Sequence, residues 1–129
     1  MSVYVDLIVR ETASRGRGVF AQAPIPAGTL IETADVILIP EAELPAIERG
    51  VLGNYFFRWG NDGRQGALAL GYGSIYNHSF TPNARYVKHF DRSTIDFIAL
   101  RDIAAGEEIR TNYNGAPAAL DALWFPTSE

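Results

Sequence analysis

Short runs of β-forming residues, broken at close and uneven intervals by Gly, Pro and Asn, constrain this chain more than any other feature of its 129 residues. Val3 to Val9 reads as a first strand, followed by a polar, Gly-broken turn from Glu11 to Gly18. Val19–Ala21 and Thr29–Ile39 are the next extended pieces. Leu52 to Trp59 is aromatic, and Asn61-Asp62-Gly63 after it is a turn able to join a hairpin. Ala67 to Tyr76 is small and apolar, and Ala84–Phe90, Thr94–Leu100 and Glu108–Tyr113 complete the set. The best helix signal is Pro40–Gly50, with Glu41 and Glu43 near its start and Gly50 just past its end. Pro45 interrupts it, so a short or kinked helix is expected. Uneven strand spacing disfavours a regular sandwich, and the expectation is a mainly β fold with short helices.

One local pattern occurs twice. Ile25-Pro26-Ala27-Gly28-Thr29-Leu30-Ile31 resembles Ile103-Ala104-Ala105-Gly106-Glu107-Glu108-Ile109. In each, a hydrophobic anchor precedes a Gly-containing turn and a new β run, with Gly supplying the backbone freedom of the turn. Two similar corners in an irregular β fold are expected.

Composition removes several classes of function. A net charge of -4 and a pI of about 5.1 argue against a basic face for nucleic acid and leave room for a basic peptide partner. Cysteine is absent, which excludes disulfides, thiolate metal sites and a cysteine nucleophile, and with two histidines no metal site is expected. Met1 to Asp6 has neither the basic start nor the apolar run of a signal peptide, and no stretch is long enough to span a bilayer. The expectation is a soluble intracellular protein, cytoplasmic or nuclear, comprising one domain over residues 1–129.

Three segments are dense in residues that carry chemistry. Gly16-Arg17-Gly18 lies before a β run, where glycines let backbone groups approach a ligand, although an ordinary turn explains them as well. Tyr76-Asn77-His78-Ser79, with Pro82-Asn83, offers directed donors and acceptors; a satisfied buried histidine and a turn explain it too. No nucleophile elbow accompanies His78 and Ser79, so a hydrolytic triad is unattractive. Glu107 and Glu108 adjoin on a strand, point to opposite faces and do not flank one bond as a glycosidase pair. The same segment ends in Asn112-Tyr113.

In order and spacing, these segments together resemble the SET-domain family of protein lysine methyltransferases. Gly16-Arg17-Gly18 matches its Gly-x-Gly motif, Asn77 through Asn83 its Asn-His-Ser-x-x-Pro-Asn motif, and Gly106 through Tyr113 its closing Gly-Glu-Glu-Ile-x-x-x-Tyr motif. The similarity runs from about residue 5 to 113, and the length is that of minimal stand-alone members such as the viral ones. The resemblance implies a β-clip-like fold of several small sheets with a C-terminal pseudoknot, threaded beside the Asn-His segment. It also implies an S-adenosylmethionine pocket formed by Gly16, Arg17, Gly18, Asn77 and His78 and bordered by Tyr113. Tyr113 is then the active-site tyrosine, with Tyr55 and Tyr86 beside it. Tyr55, Tyr72, Tyr86 and Trp124 wall the channel for a lysine of a basic peptide, in the family's precedent a histone tail.

The cysteine-rich zinc segment of many members is missing, so residues 114–129 are expected to close the substrate side. Trp124 and Phe125 either fold back or meet a second subunit in a homodimer, and core packing explains them equally well. Two rival readings stand beside the enzyme. One is a catalytically silent SET-like module; the other is a SAF-type β-clip that binds a small polar ligand, which leaves Asn77–Asn83 without a role.

Overall fold

A computed structural model describes residues 2–114 of the chain. Ten strands carry the fold: β1 (Ser2–Val3), β2 (Leu7–Glu11), β3 (Arg17–Ala21), β4 (Leu30–Ile39), β5 (Phe56–Trp59), β6 (Gln65–Ala69), β7 (Asn77–His78), β8 (Ala84–His89), β9 (Thr94–Ala99) and β10 (Glu108–Thr111). They form two sheets. One runs β5-β6-β4-β9-β8 with β1 also on β4, and the other runs β2-β3-β10-β7. The long β4 serves two neighbours in turn, pairing β9 over Leu30–Asp35 and β6 over Val36–Ile39.

The strand expected over Val3–Val9 is two strands. β1 pairs with β4 and β2 with β3, so Tyr4–Asp6 carry the chain from one sheet to the other, Tyr4 still donating its N–H to Ile31 O and Asp6 O accepting from Gln22 N–H. The hairpin at Asn61-Asp62-Gly63 joins β5 to β6, with Trp59 opposite Gln65. The Pro40–Gly50 signal resolves into a 3-10 turn, Glu41–Glu43, and a short helix α1 (Leu44–Glu48). Pro45 does not kink it. Proline occupies its first turn, where the missing N–H has no intrahelical acceptor to lose.

Burial in β9 alternates residue by residue, so Ile95, Phe97 and Ala99 face inward. Ile31 joins them from β4, and Val19 and Ile109 come from the second sheet, all at most 2% exposed. Each such aliphatic or aromatic side chain contributes about 1.5–3 kcal/mol by leaving water.

The two similar corners meet. Ile25 and Ile103 exchange both backbone hydrogen bonds at 2.8 Å. The Gly28 N–H donates to Ala99 O at 2.8 Å and the Gly106 N–H to Ala21 O at 2.7 Å. Ala99 N–H donates to Thr29 O, and Ala21 N–H to Glu107 O. Each bond has its counterpart at the equivalent position of the other corner, so the pair is related by a local two-fold. Gly28 and Gly106 have φ of 82° and 84°, a region that a side chain disfavours.

β10 is inserted into this frame from the end of the described chain. Glu108 and Ile109 pair antiparallel with β3, and Arg110 and Thr111 pair parallel with β7. The loop after β7 holds the same strand: Ser79 N–H donates to Thr111 O. Asn83, 3% exposed, donates to Glu108 O at 2.7 Å and accepts from Arg110 N–H at 2.8 Å. Asn83 thus supplies two bonds of a ladder where no strand is present.

Asn83→Ala leaves the part-buried Glu108 carbonyl and Arg110 N–H without these partners. It should cost about 3 kcal/mol in urea unfolding; a loss below about 1 kcal/mol would show that the Asn83 side chain does not clamp β10.

Candidate active site

Just past β10 the chain turns and presents Tyr113, which three residues fix at three atoms. Its hydroxyl donates to Tyr76 O at 2.6 Å, its N–H donates to His78 Nδ1 at 3.1 Å, and its carbonyl accepts from the Tyr86 hydroxyl at 3.1 Å. Accepting at Nδ1 leaves the proton of a neutral His78 ring on Nε2. The ring is buried, edge-on to Phe80 at 4.4 Å and to Tyr113 at 5.3 Å. Burial pushes the Tyr113 hydroxyl far above the ordinary phenol value, with Tyr55, Glu108 and Tyr86 adding to the rise. Burial alone takes Tyr86 up to about 12. Both phenols therefore stay protonated at neutral pH.

Tyr113 faces a cavity of about 650 Å³ that Tyr55, Phe57, Tyr86 and Lys88 also line. Phe57 meets the Tyr86 ring edge-on at 5.1 Å and fixes that wall. Tyr55 is 45% exposed. Tyr72 is not among the described lining residues. It packs against the core, and its N–H donates to Glu32 at 2.9 Å. Trp124 and Phe125 lie outside the described residues.

The Gly-x-Gly turn, Asn77 and Glu108 converge. Gly16 turns the chain at φ 67°. At Gly18 a Cβ would overlap the Glu108 carboxylate and lie 2.9 Å from Asn77 Nδ2, so only glycine admits these two groups over β3. Asn77 Nδ2 donates to Glu108 at 2.7 Å and to Arg17 O at 3.1 Å, and Arg15 stands 3.8 Å from the other Glu108 oxygen. Glu107 turns away to Arg101 and Asn83, as alternation along the chain requires. This cleft therefore offers a carboxylate, a guanidinium, an amide and accessible backbone within a few residues of Tyr113.

Behind the site lies a buried carboxylate. Glu32, fully buried on β4, accepts from the Tyr76 hydroxyl at 2.7 Å and from Tyr72 N–H at 2.9 Å. It anchors both ends of the 72–76 segment, whose last carbonyl receives the Tyr113 hydroxyl.

A SET-domain family model matches residues 16–114. The chain belongs to the SET-domain family. Over 120 residues it is 39% identical to a fission yeast protein (Schizosaccharomyces pombe), named a histone-lysine N-methyltransferase specific for H3 lysine-37, covering 92% of this chain and 76% of that one. A Plasmodium falciparum crystal structure, provisionally assigned as a histone methyltransferase, superimposes with a TM-score of 0.67. It shares 24% identity and covers 86% of this chain and 95% of its own, and it supports the fold.

Within this SET domain, the residues singled out from sequence fall in two adjoining groups. Gly16, Arg17, Gly18 and Asn77 gather around Glu108; Tyr55 and Tyr86 share the cavity with Tyr113, whose backbone N–H is held by His78. Sequence spacing gives no role to Glu32 or Lys88. Glu32 sits on a strand that otherwise reads as ordinary β structure, and only its burial and its partner Tyr76 mark it.

Burial holds the Glu32 carboxyl above its ordinary range, against the hydrogen bonds from Tyr72 and Tyr76. A raised folded-state value means its contribution to stability is complete below pH 4.5 and is lost as pH rises through the raised value. Urea titrations from pH 4 to 8 should show this decline in the wild type and its removal in Glu32→Gln; an unchanged slope would disprove it.

Proposed function

We propose that this SET domain transfers a methyl group from S-adenosylmethionine to the side-chain amine of a lysine in a histone tail. The observation that carries the reading is Tyr113, fixed at three backbone or side-chain atoms where it lines the aromatic cavity. The donor set of the cleft suits the cofactor. Glu108 fits its ammonium, Arg15 its carboxylate, and Asn77 with the backbone of Arg17 and His78 its remaining polar groups. Glycine at position 18 leaves the room that Glu108 and Asn77 themselves occupy over β3. When bound, the cofactor supplies an electrophilic sulfonium methyl group.

The chain's residues do the rest. A lysine with a pKa of about 10.4 costs roughly 4.6 kcal/mol to neutralise at pH 7. Tyr55, Phe57 and Tyr86 enclose its stem and strip water from its amine, which favours the neutral form; a nearby positive charge adds to this. Tyr113 keeps its proton and is no base. Because its hydroxyl hydrogen goes to Tyr76 O, its oxygen lone pairs are left to orient the amine. The proton leaves through the cavity to water.

The relative's printed specificity makes a histone tail the first substrate class to test, and a net charge of -4 suits a basic peptide. Such a substrate places the work in the nucleus. Within the same reading, residues 114–129 close the substrate side, with Trp124 in the channel wall, in the same copy or against a second.

Calorimetric titration with S-adenosylmethionine, then mass spectrometry of histone-tail peptides, tests the proposal. Binding with a methyl gain on lysine supports it, binding without transfer to any tail points to a silent module, and no binding rejects it. Tyr113→Phe should keep cofactor affinity within about twofold and cut turnover by about 100-fold; unchanged turnover would remove its catalytic role. Asn77→Ala should weaken cofactor binding about tenfold, the loss of one directed polar contact, and equal affinity would show Asn77 misassigned.

A further inference from the structure

Lysine occurs once among the 129 residues. The other ten basic side chains are arginine. That one lysine, Lys88, lines the same cavity as Tyr55, Tyr86 and Tyr113. It follows Tyr86 by two residues on β8, so the two side chains share a face of the strand. Its Nζ lies 5.9 Å from the centre of the Tyr86 ring.

Lys88 has no ion-pair partner among the described residues, whereas Glu48, which lines the same cavity, is taken by Arg58 at 3.4 Å. Structural lysines in partly buried sites are ordinarily paired. Here burial, with no carboxylate partner among the described residues, pulls the amine's proton affinity down, the direction a methyl acceptor requires. Arginine, which accounts for every other basic position, neither deprotonates nor accepts in this way. A tethered amine in the cavity also needs no encounter, and its local concentration exceeds that of any free peptide.

We propose that Lys88 is a substrate of its own active site and is methylated within the same molecule. This rests on the methyltransferase reading above. The lone pair of neutral Nζ forms a bond to the methyl carbon while that carbon's bond to the sulfonium sulfur breaks. The sulfur keeps the electron pair and leaves as a neutral thioether, and the methylated amine gives one proton to water. Lys88 thereby competes with an incoming peptide lysine for one channel.

The test is the intact mass of the full chain, as purified and after incubation with S-adenosylmethionine alone, with the site mapped by peptide fragmentation. Expected are a mass gain of one or more methyl groups confined to Lys88, its complete absence in Lys88→Arg, and its loss in Tyr113→Phe. The fractional rate should be the same over a tenfold range of protein concentration, and a saturating histone-tail peptide should slow it severalfold. Absence of any gain in a preparation that methylates histone peptide overturns self-methylation and leaves the methyltransferase reading intact. A gain that persists in Lys88→Arg, or a fractional rate that rises with protein concentration, overturns it as well. No cofactor binding and no transfer to either acceptor rejects both readings together.

Discussion

β10 carries hydrogen bonds on both edges, antiparallel to β3 through Glu108 and Ile109 and parallel to β7 through Arg110 and Thr111. A four-residue strand has few bonds of its own, so its position depends on both neighbours being present. Beyond those ladders Asn83 acts as a single-residue substitute for a strand, bonding Glu108 O and Arg110 N–H from the loop after β7. The parts of the site follow from this arrangement. Glu108 reaches Asn77, the Gly18 backbone lies beneath both, and Tyr113 comes to rest on His78 and Tyr76. The paired corners at Ile25 and Ile103 lead into β4 and β10, with their glycine N–H groups bonded across to Ala99 and Ala21.

One physical cause runs through the electrostatics of the cavity. Burial raises Tyr86 and Tyr113 and lowers Lys88, so each group is driven toward its uncharged form. An amine entering from outside meets the same environment. The residue already there reports what the pocket does to lysine: it weakens the hold on the proton before any catalytic group acts. Glu32 is the counterpart behind the wall. Its hydrogen bonds to Tyr72 and Tyr76 set the position of the carbonyl to which the Tyr113 hydroxyl is bound.

Local signals in the sequence are read correctly where local geometry decides. The Asn61-Asp62-Gly63 hairpin, β4, β8, β9 and the two glycine corners lie where turn chemistry and strand propensity put them. The short helix expected around Pro45 is found, five residues long; that it is short and not kinked follows from proline standing in its first turn, which only the actual helix start settles. The division of Val3–Val9 is invisible locally, since the two halves join different sheets. At the candidate site, motif spacing singles out Gly16–Gly18, Asn77, His78 and Tyr113. Tyr72, an aromatic residue near the motif expected in the channel wall, packs against the core and gives its N–H to Glu32. Glu32 and Lys88 owe their roles to partners and burial that no short window contains.

The pairing of β3 with β10 joins Arg17–Ala21 to Glu108–Thr111 across nearly the whole described chain. Contacts between residues so remote in sequence form slowly, because the loop must close before any bond rewards it. During synthesis the β2–β3 hairpin is complete early, but one edge of β3 stays open until Glu108 has emerged. Until Glu108–Thr111 have emerged, β10 cannot pair with β3 and Tyr113 cannot take its place on His78 and Tyr76.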